Sequence, residues 1–307
     1  MNSIDAIAVE GVSPRDPKPR VWHLAALFAL SETVPIFLAS LTIGTLLTVG
    51  MLGGPVGHLT IRRARHLFRS SQGTLIAMAC VAVVCMLLAI GVGLWSSEPF
   101  AKRLRTGRGL LSTVEIAVAS AGGLALSSAL GTVLRFMPGY ESGGLGRFHK
   151  LCAGLHGTEL WLAALLIGLL APLGEELFYR GAMQTRLMER FGTIAGVVLT
   201  SAVFGIAHLD PLHMVVGVVM GLYLGWISVL SKSCRTTIAV HGVNNSFAVL
   251  VAVAGTASTS AAGHGPADYV ASGTAWLLIA AGCVLWLQRR ATRRAVLANY
   301  SDYSNLP

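Results

Sequence analysis

Seven side chains in the second half of the chain have the types and spacings that hydrolysis needs. They fall in three groups: Glu175, Glu176 and Arg180 in "EELFYR", Phe204 and His208 in "FGIAH", and His241 and Asn245 in "HGVNN". On a helix, an acid four residues ahead of a base is the favourable order for an ion pair, so Glu176 is expected to pair with Arg180. Glu175 sits about 100° further round the helix and is left for another partner. His241 and Asn245, four apart, share a helical face, whereas Asn244 lacks that phase. A carboxylate with an imidazole can activate water, and an imidazole with a carboxamide can donate to an oxyanion. Cleavage of a peptide bond requires both.

These groups stand in very apolar surroundings. Of 307 residues, 54% are hydrophobic and 12% charged, far from the balance of a soluble protein. Apolar runs of about 20 residues recur along the chain, and in lipid each must satisfy its own backbone hydrogen bonds, hence be a helix. The expected fold is all-α, a polytopic transmembrane helical bundle of about eight spans: 22–49, 73–95, 110–136, 159–178, 193–208, 214–230, 236–254 and 269–287. Pro172, one turn ahead of the acids, is expected to kink its helix. An ionisable residue at membrane depth costs on the order of 2.5–3.5 kcal/mol, so each is first read as functional.

Depth can be estimated by counting. The turn "RFGT", 190–193, lies midway between Glu175 and His208, which an antiparallel hairpin then brings to similar depth. His241 follows Arg235 by six residues, about 9 Å of helix. Taken singly, the Glu176/Arg180 pair reads equally as an interfacial ion pair, and His208, His241 and Asn245 as groups that join helices by hydrogen bonds. Their joint occurrence at compatible depth favours chemistry. His23, His58, His66, His149, His156, His213, His264, Glu32 and Glu115 read as interfacial or structural, and Arg135 as snorkelling to the surface.

The break in hydrophobicity at 137–150 divides scaffold helices, 21–150, from a catalytic core, 151–290. Residues 1–20 read as a disordered cytosolic tail and 291–307 as a basic one. The net charge of +9 sits in short clusters at 102–108, 180–190, 232–235 and 289–294, which fall on one side if eight spans alternate. They read as topology signals and contacts to anionic lipid, with both termini cytosolic, and not as a nucleic-acid surface. The cluster 61–69 falls on the other side, which leaves a misread first region or an interfacial amphipathic strip. The five cysteines show no CxxC spacing and read as small buried residues.

The ordered triple EExxxR, FxxxH and HxxxN, at Glu175–Glu176–Arg180, Phe204–His208 and His241–Asn245, resembles the signature of the CPBP family, the CAAX proteases and bacteriocin-processing enzymes. The resemblance covers roughly 160–251. It implies an intramembrane endopeptidase with a cavity open to the cytosolic side, cleaving a membrane-associated or prenylated peptide or a membrane-anchored protein in the bilayer. By the same resemblance, Glu175 with His208 activates water, His241 and Asn245 form the oxyanion hole, and Glu176 with Arg180 supports the site. Glu175, His208 and His241 are also possible zinc ligands, but HExxH is absent, and metal-independent chemistry is preferred. A transporter or channel with buried charges, or a non-catalytic membrane partner, are the alternatives. The acids and histidines occupy one half only, unlike the paired broken helices of inverted repeats.

Overall fold

The computed structural model describes residues 21–48, 70–257 and 266–304. The tail 1–20, the cluster 61–69, His58, His66 and His264 lie outside them. Every regular element among the described residues is helical. In chain order they are α1 (Val21–Thr48), α2 (Ser71–Leu94), α3 (Phe100–Arg103), α4 (Thr113–Leu134), α5 (Gly144–Ala153), α6 (Gly157–Phe191), α7 (Thr193–Ile206), α8 (Pro211–Ser231), α9 (Cys234–Ala257) and α10 (Pro266–Ser304). Six of these, α2, α4, α6, α8, α9 and α10, are long and apolar enough to cross a membrane, and apolar stretches of α1 and α7 are shorter. Each of the eight expected spans therefore has a helix in its place. Large apolar side chains such as Trp161, Leu165, Leu250 and Leu278 are exposed on the bundle's outside, where lipid tails would meet them.

Two boundaries differ from the sequence reading. The cluster 180–190 is not a connection: α6 runs unbroken to Phe191, and Arg180 is buried within it. A charged residue in a helix reads as its end only if nothing neutralises it, and here Glu176 does. The polar segment 137–150 is not all loop, because α5 begins at Gly144. Pro172 does not end α6 either. The helix widens to π geometry over Leu166–Leu170, just before the proline, and again over Leu177–Gln184, just after the acids. Such local widenings absorb a lost backbone donor and re-aim side chains, and they occur mostly at functional sites.

Apolar burial gives little drive between helices in lipid, so small residues and interhelical hydrogen bonds set the packing. α7 and α8 touch through glycine: a Cβ on Gly217 would lie 2.8 Å from the Gly205 Cα and 3.0 Å from the His208 Nδ1. Gln184 of α6 donates to the Gly225 carbonyl of α8 at 3.1 Å, and the Tyr223 hydroxyl of α8 donates to the Ala119 carbonyl of α4 at 2.6 Å. Glu115 completes a capping box at the start of α4 with Ser112 and pairs with Arg294 of α10 at 2.9 Å, so its role is structural. Asp210 accepts from the backbone N–H of His213 at 3.1 Å and of Gly144 at 2.7 Å. One carboxylate thereby caps α8 and holds the start of α5 against it.

Candidate active site

The two glutamates of α6 face different surroundings, as their 100° offset requires. Glu176 is wholly buried and lies 3.3 Å from the Arg180 guanidinium, at an angle that makes an ion pair and not a hydrogen bond. Its other oxygen lies 3.0 Å from His241 Nδ1. A carboxylate only accepts hydrogen bonds, so Nδ1 carries a proton, and the ring turns Nε2 away from Glu176. That Nε2 stands 3.8 Å from a carboxylate oxygen of Glu175.

Arg180 is held by more than its acid. Its guanidinium donates to the Gly221 carbonyl of α8 at 3.4 Å and stacks 4.8 Å from the centre of the Phe204 ring. Phe204 is the hub of the site. Edge-to-face contacts join its ring to Tyr179 at 5.0 Å, to His208 at 5.1 Å and to His241 at 6.1 Å. His208, one turn beyond, is bound through Nδ1 to the Phe204 carbonyl at 2.9 Å. That oxygen only accepts, so Nδ1 again carries a proton and Nε2 is the ring nitrogen left for another partner. Asn245, one turn beyond His241, gives one amide hydrogen to the Ile167 carbonyl at 3.1 Å, inside the first π segment of α6. Its second amide hydrogen remains.

A cavity of about 740 Å³ brings these groups together, lined by Glu175, Phe204, His208, His241 and Asn245 among others. Glu176 and Arg180 lie behind its wall. Four residues that the sequence reading set aside as structural, interfacial or snorkelling also line it, Glu32 from α1, Arg135, His149 from α5 and His213 from α8, and so does Asn244, which lacks the helical phase of His241. His213 stacks on His208 with ring centres 4.2 Å apart. For Glu32 a signal existed in the sequence, an acid in an apolar span. For His213 none did, because its proximity to His208 arises from the tight turn at Leu209, whose φ of +53° folds α7 back on α8.

Among the described residues, no three His, Cys, Asp or Glu side chains form a group able to hold a metal ion. Glu175, His208 and His241 therefore do not make the ready set that zinc requires. The three described buried cysteines, Cys85, Cys152 and Cys234, are free thiols, as are the half-buried Cys80 and Cys283.

The fold and the site together define a polytopic helical membrane protein with a mostly apolar cavity at mid-bundle into which histidines and glutamates project. Residues 157–247 match the model of the type II CAAX prenyl endopeptidase Rce1-like family, a similarity consistent with the CPBP resemblance of the motifs within them. That similarity supports intramembrane endopeptidase activity in general terms. Neither a curated protein nor a solved structure matches the chain.

Proposed function

We propose that the protein is an intramembrane endopeptidase that cleaves a membrane-associated or membrane-anchored peptide with water activated by Glu175. The observation that carries this reading is His241, fixed through Nδ1 by the buried Glu176 and presenting Nε2 to Glu175 on the cavity wall, 3.8 Å away. Glu176 and Arg180 act behind the wall as positioning residues.

Glu175 takes a proton from the attacking water as the water oxygen bonds to the peptide carbonyl carbon. His208, through Nε2, orients the same water. Charge then develops on the carbonyl oxygen. The remaining amide hydrogen of Asn245 meets it, as does His241 Nε2–H when that ring is protonated between two carboxylates. The C–N bond breaks, Glu175 returns its proton to the departing nitrogen, and an acid and an amine leave. Each step uses side chains of this chain alone.

The test is Glu175→Gln in purified, detergent-solubilised protein with a panel of quenched-fluorescent peptides. Loss of a positioned general base lowers the rate by about 10²–10⁴-fold while thermal unfolding stays that of the parent. Full activity in the variant would remove Glu175 from this role.

A further inference from the structure

The cavity has a direction. Its floor is made at mid-helix by Glu175 and His241, and from there the lining is supplied by Thr132 at the end of α4, His149 of α5, His213 at the start of α8 and Tyr269 at the start of α10. All four belong to the end of the bundle where α4 hands over to α6, α7 to α8, and α10 begins. No lining residue comes from 95–112 or 232–235, the connections at the other end.

Charge distinguishes the same two ends. Lys102, Arg103, Arg105 and Arg108 follow α2, Lys232 and Arg235 join α8 to α9, and arginines at 289, 290, 293 and 294 close the chain's last span. At the cavity end the described cations are Arg135, Arg147 and Lys150, and the last two stand beside Asp210 at 4.0 Å and Glu141 at 3.2 Å. Lys and Arg in short connections are retained on the cytosolic side, so the basic end is the cytosolic one and the cavity mouth lies on the far face. The arginines of 61–69 lie outside the described residues, which is why the test reads orientation directly.

We infer that the substrate enters from the extracytosolic face, as an exported peptide or the extracytosolic segment of a membrane-anchored protein. The inference rests on the proteolytic reading for what happens inside the cavity, but not for where the cavity opens. It also sets aside one implication of the family resemblance. A cytosolic basic end and a cavity opening to the cytosol are incompatible in this bundle. Tyr140 and His149 stand among Leu145, Phe148, Phe247, Val251 and Trp276 in the lining, so the wall offers a few polar partners to a peptide backbone within a mostly apolar surface that accepts apolar side chains.

The experiment is labelling of sealed cells by a membrane-impermeant maleimide. Thr132→Cys at the mouth and Lys232→Cys at the basic end are each compared with the parent chain and its five cysteines. Labelling of Thr132→Cys in intact cells, with Lys232→Cys labelled only after permeabilisation, is expected. The reverse pattern overturns the inference. If Thr132→Cys stays unlabelled even in detergent, Ser128→Cys replaces it as the mouth reporter and is read by the same criterion. Peptide cleavage in detergent is measured on the parent chain separately, so a failed orientation and a failed protease reading give different results.

Discussion

His241 Nδ1 lies 3.0 Å from Glu176, and Glu176 also faces Arg180 at 3.3 Å. One carboxylate with no exposed surface therefore serves a guanidinium and an imidazole on different helices, α6 and α9, and the imidazole it orients reaches the cavity. Glu176 stabilises the fold and aligns the site through the same two oxygens.

Replacing Glu176 by Gln leaves the Arg180 charge buried without its acid. Breaking one side of a buried pair costs about 3–5 kcal/mol, and thermal unfolding in detergent should show a large drop. Glu176→Gln combined with Arg180→Met should regain much of that stability, since the pair is then removed together. Activity should stay low, because the amide oxygen that replaces the carboxylate carries no charge with which to hold His241 Nδ1–H. Recovery of cleavage in the double variant would mean that the Glu176 charge has no part in positioning His241.

Phe204 touches Tyr179, His208, His241 and Arg180 through one ring. Phe204→Ala should cost about 3–5 kcal/mol as a large buried side chain. Phe204→Leu keeps most of the volume, so its stability loss should be smaller while cleavage still falls, because both imidazoles lose the edge that fixes them. Parallel measurement of melting temperature and kcat/KM separates the two effects. Equal, proportionate losses in both variants would reduce Phe204 to packing.

Much of this arrangement was legible in the sequence. Glu176 with Arg180 follows from four-residue spacing, the depth match of Glu175 and His208 from a turn at their midpoint, and the helices from apolar runs. What sequence periodicity could not carry was α6 itself. A π segment changes the residues per turn, so a pattern read at 3.6 loses phase after Leu166, and a buried arginine at its far side imitated the end of a span. The link between Glu176 and His241 was also hidden, since 65 residues separate them and nothing local in "HGVNN" names its acceptor. Glu32 and His149 reach the cavity from outside the Rce1-like segment, where no motif points to them.

Gly217 leaves no room for a side chain between itself, the Gly205 Cα and the His208 ring. Gly217→Ala places a methyl where the nearest atom, the Gly205 Cα, belongs to backbone that cannot turn aside. Overpacking of this kind costs about 1–3 kcal/mol, and it should also tilt His208 out of line. The expected outcome is a lower melting temperature together with a fall in kcat. Gly131→Ala in α4, with open space around its Cβ position, is the control expected to melt as the parent does.

Asp210 ties α5 to α8 and gives the fold an acid limit of its own. Partial burial pushes its carboxyl up, but the Gly144 and His213 backbone N–H groups outweigh that, and with His213 and Arg147 they hold it below the ordinary aspartate value. A carboxylate whose pKa is depressed by folding contributes stability above its unfolded pKa, and that contribution disappears as pH falls through the folded value. The parent should therefore lose melting temperature below about pH 4 in part through this group. Asp210→Asn keeps the size and one acceptor but not the charge. It should melt lower at neutral pH, by about 1 kcal/mol for a weakened cap, and show a shallower decline on acidification. Melting curves collected from neutral pH downwards would reveal it, and identical slopes for parent and variant would show that the two helix starts are held by something other than this anion.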